Sequence, residues 1–134
     1  MNRFLTFHIH GTSGNEARMA PSAYYLEADC SLSAVRIYAE DAPVRDAHFD
    51  IFDDGTTIFI NSASTSYDRT SGVRTVGTAL TTAVLSAGEN AAEIAGDFVQ
   101  ETIESDSWVY CNLVDAGGGR NFTVQLELAE LTGE

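Results

Sequence analysis

The chain contains no lysine, and basic residues of any kind are few. Seven arginines stand against 20 aspartates and glutamates in 134 residues, which gives a formal net charge of −13 at pH 7. Negative charge of this size repels the phosphates of nucleic acids and of anionic lipids, so we expect neither nucleic acid nor a membrane as a partner. GC-rich coding and adaptation to high salt would each produce a composition without lysine, and the sequence leaves both readings open.

Long apolar runs are also missing, and cysteine is rare. No stretch approaches the roughly 20 apolar residues that a membrane-spanning helix requires, and the first ten residues alternate instead of forming a signal-peptide core. We therefore expect synthesis in the cytoplasm. Cys30 and Cys111 are the only cysteines and lack metal-ligand spacing, so two free thiols are favoured over a disulfide.

Alternation of apolar and polar residues is the main structural signal in this chain. It is clearest in residues 4–10, 32–40, 47–52 and 122–128, and each of these segments predicts a β-strand. Residues 91–103 fit a short helix or a strand, and we favour a strand. A length of 134 residues predicts a single domain, residues 1–134. Seven to eight short strands predict an all-β, antiparallel β-sandwich of the jelly-roll kind.

Two turn segments predict β-hairpins. Asp53, Asp54 and Gly55 separate two alternating runs, and an acidic turn closed by glycine is typical of a tight hairpin. The glycine-rich segment 116–120 is predicted to join residues 108–114 to residues 122–128 in a second hairpin. Residues 61–72 are mostly polar or glycine, and we expect them to form an exposed loop suited to contacts.

Two groups of residues resemble metal sites only in part. His8 and His10 share a strand face, as cupin ligands do, but the spacing to Glu16 is too long and the second cupin motif is missing. The acidic turn at Asp50, Asp53 and Asp54 lacks the carboxylate spacing of an EF-hand, although acidic residues 101, 104 and 106 could complete a calcium site between loops.

Motifs for catalysis are not found in the sequence. It has no nucleophile elbow, and the glycine run at 117–119 lacks the lysine of a phosphate-binding loop. The sequence therefore predicts no catalytic residue, no metal and no cofactor.

Two segments carry a resemblance to a known family. The first segment, residues 34–61, is AVRIYAEDAPVRDAHFDIFDDGTTIFIN, and the second, residues 105–128, is SDSWVYCNLVDAGGGRNFTVQLEL. Both resemble the accessory β-sandwich domains of tailed-virus virion proteins, from bacteriophages or archaeal viruses. Phe122 stands where that family usually has leucine, and the turn before Trp108 and the length of the middle loop also differ. The positions that match the family pattern are Ala42-Pro43, Asp50-Ile51, residues 55–59, Trp108 and residues 123–126.

The resemblance implies a non-enzymatic virion protein that is made in the host cytoplasm and binds other virion proteins. Capsid decoration, a head fibre or turret, or a tail appendage would each fit. It also implies a homo-oligomer, with a trimer favoured because closed rings match viral lattices and fibres. The alternative is a carbohydrate-binding sandwich for host-surface recognition, which needs exposed aromatic rings. Tyr67 and Trp108 are the residues predicted to contact a glycan, with Tyr24 and Tyr25 as further candidates.

Overall fold

The computed structural model describes residues 2–11, 18–54, 56–58, 66–67, 74–75, 83–95, 98 and 102–130. These ranges hold twelve β-strands and no helix. In chain order the strands are β1 (Asn2–Ile9), β2 (Arg18–Leu26), β3 (Cys30–Asp41), β4 (Ala47–Asp53), β5 (Thr56–Thr57), β6 (Ser66–Tyr67), β7 (Arg74–Thr75), β8 (Ala83–Leu85), β9 (Ala91–Ile94), β10 (Thr102–Ile103), β11 (Ser107–Asp115) and β12 (Arg120–Glu130). None of the described residues belongs to a helix long and apolar enough to cross a membrane.

The strands form two antiparallel sheets, each of five strands, and a short ribbon. Sheet A has the order β1-β12-β3-β10, and β9 also pairs with β3. Sheet B has the order β2-β11-β4-β5, and β8 also pairs with β4. The ribbon consists of β6 and β7. The predicted all-β sandwich is confirmed, with more strands than expected because five of the twelve have only two or three residues.

The core lies between the two sheets, because every second side chain of the long strands points toward the other sheet. In β1 the inward residues are Leu5, Phe7 and Ile9, as the alternation predicted, and all three are buried. Phe49 of β4 meets Phe122 of β12 across the core with the ring centroids 5.1 Å apart in an edge-to-face arrangement. Full burial of each large apolar side chain contributes roughly 1.5–3 kcal/mol, so these inward rows supply most of the stabilisation.

The first predicted hairpin is confirmed in its pairing. β4 and β5 are antiparallel, with Phe52 opposite Thr57 and Asp53 opposite Thr56, which leaves a two-residue turn at 54–55. Asp54 adopts a positive φ of 49°, as the first position of such a turn requires. The alternating run after the turn, residues 56–60, predicts a longer strand than β5, which ends at Thr57. Gly55 lies outside the described residues.

The second predicted hairpin is wrong. β11 pairs with β2 and β4 in sheet B, whereas β12 pairs with β1 and β3 in sheet A, so the glycine-rich segment crosses from one sheet to the other. Gly117 and Gly118 both have positive φ, and the Gly117 carbonyl accepts hydrogen bonds from the amides of Val44 (2.8 Å) and Arg45 (2.9 Å). Alternation identifies the inward residues of a strand but does not say which sheet contains the strand.

Three other segments refine the sequence-based expectations. The polar, glycine-bearing sequence of residues 11–22, with Pro21 near its end, predicts a connection, but residues 18–22 belong to β2. Residues 91–94 and 102–103 are strands, as favoured. Within the segment predicted as a polar loop, residues 61–72, only Ser66 and Tyr67 are described, and they form β6.

Both cysteines are free and buried, Cys30 in sheet A and Cys111 in sheet B, as expected. Burial raises the pKa of each thiol, which keeps both in the unreactive protonated form.

Gly117→Ala should destabilise the protein by more than Gly88→Ala. Both glycines have positive φ, which costs a residue with a Cβ roughly 1–2 kcal/mol. A Cβ at Gly117 would also collide with the Arg45 carbonyl oxygen, whereas a Cβ at Gly88 has no atom within 4 Å. We expect the free energy of unfolding, measured in urea, to fall by at least about 1 kcal/mol more for the Gly117 variant than for the Gly88 variant. Equal losses would contradict the close approach at the crossing.

Candidate functional site

Two exposed aromatic rings lie together at one end of the outer face of sheet B. Trp108 of β11 is directly opposite Tyr25 of β2, and the two side chains are 51% and 41% exposed. Their ring centroids are 5.2 Å apart with the planes tilted by 59°. Trp108 points outward because its neighbours Ser107 and Val109 are buried on the opposite face of the strand. We call this pair the aromatic platform.

The middle of this outer face is buried. Phe52 and Tyr110 point away from the core between the sheets, yet they are only 2% and 3% exposed. Their rings stack with centroids 5.4 Å apart. Asp50 and Asn112 face each other on the same side and are also buried. The aromatic platform is therefore an exposed corner of a face whose middle is buried.

Two carboxylates hold the platform in place. The Tyr25 hydroxyl donates a hydrogen bond to Asp106 Oδ1 (2.9 Å), and the Trp108 amide donates to Asp54 Oδ1 (2.9 Å). The Asp54 amide donates in turn to the Trp108 carbonyl (3.0 Å). The hairpin turn predicted from the sequence is thus attached to the start of β11. The hydrogen bond to Asp106 raises the pKa of Tyr25, because only the protonated phenol can donate it.

The bend before β11 is anchored to the connection between β2 and β3. The Asp106 amide donates to the Leu26 carbonyl (2.7 Å), and the Ser105 amide donates to Asp29 Oδ1 (2.7 Å). Asp106 has a positive φ of 63°, a conformation that aspartate tolerates better than most residues. These contacts fix Asp106 where it can accept the bond from Tyr25.

A polar cavity of about 540 Å³ opens beside the platform. Four of its lining residues are acidic, namely Asp53, Asp54, Glu104 and Asp106. The structure thus brings the acidic turn close to two of the three later acidic residues that the sequence suggested, while residue 101 lies outside the described residues. Among the described residues, no cluster of three or more acidic, histidine or cysteine side chains has an arrangement that could hold a metal ion.

Asp53 is a carboxylate that lines the cavity, and its Oδ1 is buried without a hydrogen-bond partner in the described structure. Burial raises the pKa of this carboxyl group, and the neighbouring charges of Asp54 and Glu104 add to the shift, while the Ser107 side chain partly offsets it. Asp50 does not belong to the turn. It lies fully buried in β4, where its Oδ1 accepts a hydrogen bond from the Ile51 amide (3.0 Å).

Tyr24, another of the aromatic glycan candidates, does not join the platform. Tyr24 points into the sandwich, where its hydroxyl donates to the Thr6 carbonyl (2.7 Å) and its ring packs edge-on against Phe7 (5.3 Å). Tyr67 lies in β6 opposite Arg74, and its side chain is outside the described part of the structure. The sequence did not identify Tyr25 as the partner of Trp108. The sequence signal that could have identified it is the alternation of side chains along a strand, because, of the adjacent residues Tyr24 and Tyr25, one ring must point inward and the other outward.

His8 lies on the outer side of β1, His10 directly follows the end of that strand, and both are exposed, on the shared face that the sequence predicted. Their rings stack with centroids 6.1 Å apart, and His8 Nδ1 is 3.3 Å from Thr123 Oγ1. The third histidine, His48, belongs to β4 in the other sheet. The fold therefore does not place all three histidines on one sheet.

Asp53→Asn should raise the thermal unfolding midpoint at pH 7. The raised pKa of Asp53 means that the folded state binds the proton more readily than the unfolded state, so the ionised form opposes folding. This penalty is absent below the unfolded pKa of about 3.9 and grows as pH rises through the folded pKa. The increase in the unfolding midpoint should therefore disappear near pH 3, which calorimetry can measure.

The matched control for this variant is Asp41→Asn, which removes one negative charge from an exposed position at the end of β3. If both variants shift the unfolding midpoint equally at every pH, burial of Asp53 has no role in the effect.

Comparison with known proteins gives no family assignment: no family model and no curated protein matches the chain. Among solved structures, the Drosophila NLP core, described with pentamer formation and histone binding, shares 13% identity and a TM-score of 0.46 over 98% of this chain and 100% of that one. FlhE shares 8% identity and a TM-score of 0.42, over 96% and 98%. The catalytic domain of a GH87 α-1,3-glucanase in complex with nigerose shares 11% identity and a TM-score of 0.38, over 99% of this chain and 27% of that one. These likenesses concern the β-sandwich fold.

Proposed function

We propose that this chain is a non-enzymatic structural protein of a tailed-virus particle. In this role it binds other virion proteins and forms a homo-oligomer, for which a trimer is the stoichiometry favoured by the sequence. Its place would be on the capsid, at a head fibre or on the tail, after synthesis in the host cytoplasm.

The position of the family-like segments in the fold supports this proposal. Residues 34–61 and 105–128 supply most of β3 and β12, which are adjacent in sheet A, and β4 and β11, which are adjacent in sheet B. β3 and β12 are joined along ten aligned residue pairs. The resemblance therefore concerns the central strands of both sheets, which make the sandwich, and does not depend on a surface loop.

Purified particles provide the test. Mass spectrometry across a density gradient should find peptides of this chain in the fractions that hold the major capsid protein, in a constant ratio to it. A host cytoplasmic protein of similar abundance is the control, and its ratio should fall as purification proceeds. If this chain is lost together with that control, the proposed role is wrong.

Carbohydrate binding is the second candidate, and the aromatic platform favours it. Exposed rings of Trp108 and Tyr25 offer a surface on which the apolar face of a sugar ring can stack. Asp54 and Asp106, which hold the platform, each have a second carboxylate oxygen that could accept hydrogen bonds from sugar hydroxyl groups. A host-surface glycan is the expected ligand class in this reading.

Trp108→Ala should weaken binding to any glycan that the protein selects on an array by at least about tenfold, since truncation of a central aromatic contact typically costs this much. Tyr38→Ala is the matched control, because Tyr38 is equally exposed (53%) but belongs to sheet A. Titration calorimetry with the selected glycan measures both. An empty array, or equal affinity of the two variants, would contradict this candidate function.

A further inference from the structure

The polar cavity beside the aromatic platform is far more acidic than the chain as a whole. Four of the seven described residues that line it are aspartate or glutamate, compared with 20 of 134 residues in the sequence. The other three, Thr102, Ser105 and Ser107, carry hydroxyl groups. No arginine is among the described residues of the lining, so the wall of the cavity does not neutralise its own carboxylates.

Most of this negative charge is open to a ligand. Asp54, Glu104 and Asp106 are exposed, and Asp53 is half-buried. Asp54 and Asp106 each use Oδ1 to hold the platform, which leaves a second carboxylate oxygen on each as an acceptor. Glu104 holds the bend through its backbone, because its carbonyl accepts a hydrogen bond from the Ser107 hydroxyl (2.7 Å). The Glu104 side chain can therefore change without loss of that bond.

The cavity and the platform are continuous with each other. Asp54 and Asp106 line the cavity, and they also accept the hydrogen bonds from the Trp108 amide and the Tyr25 hydroxyl at 2.9 Å. The pKa of Tyr25 is raised first by its bond to Asp106 and by partial burial, and then by the negative charges of nearby carboxylates. The negative potential of the cavity therefore extends to the rings, and a ligand that stacks on them also meets the carboxylates.

The charge of the cavity discriminates among three classes of sugar. Uronic acids and other anionic sugars are repelled by the carboxylates. A neutral sugar takes water from the carboxylates and returns only hydroxyl donors. A sugar with a free amino group brings an ammonium ion, which has three donors and forms charge-assisted hydrogen bonds about twice as strong as neutral ones.

We propose that the glycan bound at the aromatic platform carries free amino groups, as an oligomer of glucosamine does. One sugar ring stacks on Trp108 and Tyr25, and the ammonium groups are bound by the carboxylates of the adjoining cavity. The inference rests on carbohydrate binding, the second candidate function, and adds the class of glycan. A cavity of about 540 Å³ lies within the range of roughly 300–1,000 Å³ that is typical of small-ligand sites.

Two oligosaccharides of equal length provide the first test, one of glucosamine and one of N-acetylglucosamine. They differ only in the acetyl groups that remove the positive charge. Titration calorimetry is carried out at about pH 6, where an amine with a pKa near that of an α-amino group, about 7.7–8.0, is protonated. One exposed ion pair strengthens binding about two- to fivefold, so contacts to two or three carboxylates predict a preference of about tenfold for the glucosamine oligomer.

Salt should remove this preference. As ionic strength rises from about 0.1 M to about 1 M, the Debye length falls from about 10 Å to about 3 Å and exposed charges are screened. The affinity for the glucosamine oligomer should fall toward that for the acetylated oligomer. A preference that stays the same across the salt series would contradict recognition by charge.

Glu104→Gln locates the charge that is recognised, because it removes one carboxylate from the cavity and leaves both rings and their hydrogen bonds in place. It should weaken binding of the glucosamine oligomer about two- to fivefold. Glu89→Gln is the matched control, since it removes the same charge from an exposed turn outside the cavity and should keep the affinity of the unmodified chain. Equal loss in the two variants would mean that the net charge of the chain attracts the ligand, and would overturn the assignment to the cavity.

The two possible failures are distinguishable. Binding of acetylated or anionic glycans as tightly as the glucosamine oligomer would overturn this inference and leave carbohydrate binding standing. Binding of no glycan at all, on the array or in the calorimeter, would overturn both.

Discussion

The burial of one face of each sheet against the other is the constraint on which the rest of this structure depends. Leu5, Phe7 and Ile9 must point inward, so Phe4 and His8 must point outward on the same strand. The same rule on β11 buries Val109 and exposes Trp108. The exposed rings on the outer side of both sheets are therefore consequences of the two-residue period that builds the core. A one-residue shift in the register of β11 would bury Trp108 and remove the aromatic platform together with the core contacts.

Local alternation is also what made the fold class predictable from the sequence, and its limits explain what was missed. It located the long strands and their inward residues, and the Asp53 to Gly55 turn located the first hairpin. It could not assign strands to sheets, because a strand has the same pattern in either one. At 116–120 the glycines permit positive φ for a hairpin or for a crossing, and the hydrogen bonds from Val44 and Arg45, more than 70 residues away, distinguish the two.

Non-local pairing likewise determined the candidate site. Trp108 was identifiable as a candidate because a carbohydrate-binding surface needs exposed aromatic rings, but its neighbour Tyr25 lies 83 positions away and meets it only through the register of β2 with β11. The carboxylates around the platform come from two further places, the β4–β5 turn and the bend before β11. Acidic residues that looked like an incomplete calcium loop in the sequence instead act as hydrogen-bond acceptors for the backbone of Trp108 and the side chain of Tyr25.

The small size of the aromatic platform has a consequence for the glycan-binding candidate. Each platform is small and open, so a single site would bind a sugar weakly. Several copies held together on a particle would raise the effective concentration of the remaining sites once one is engaged, by a factor that depends on their spacing. If the proposed virion role holds, a weak glycan contact would then be sufficient, because repetition of the platform on a particle would strengthen it.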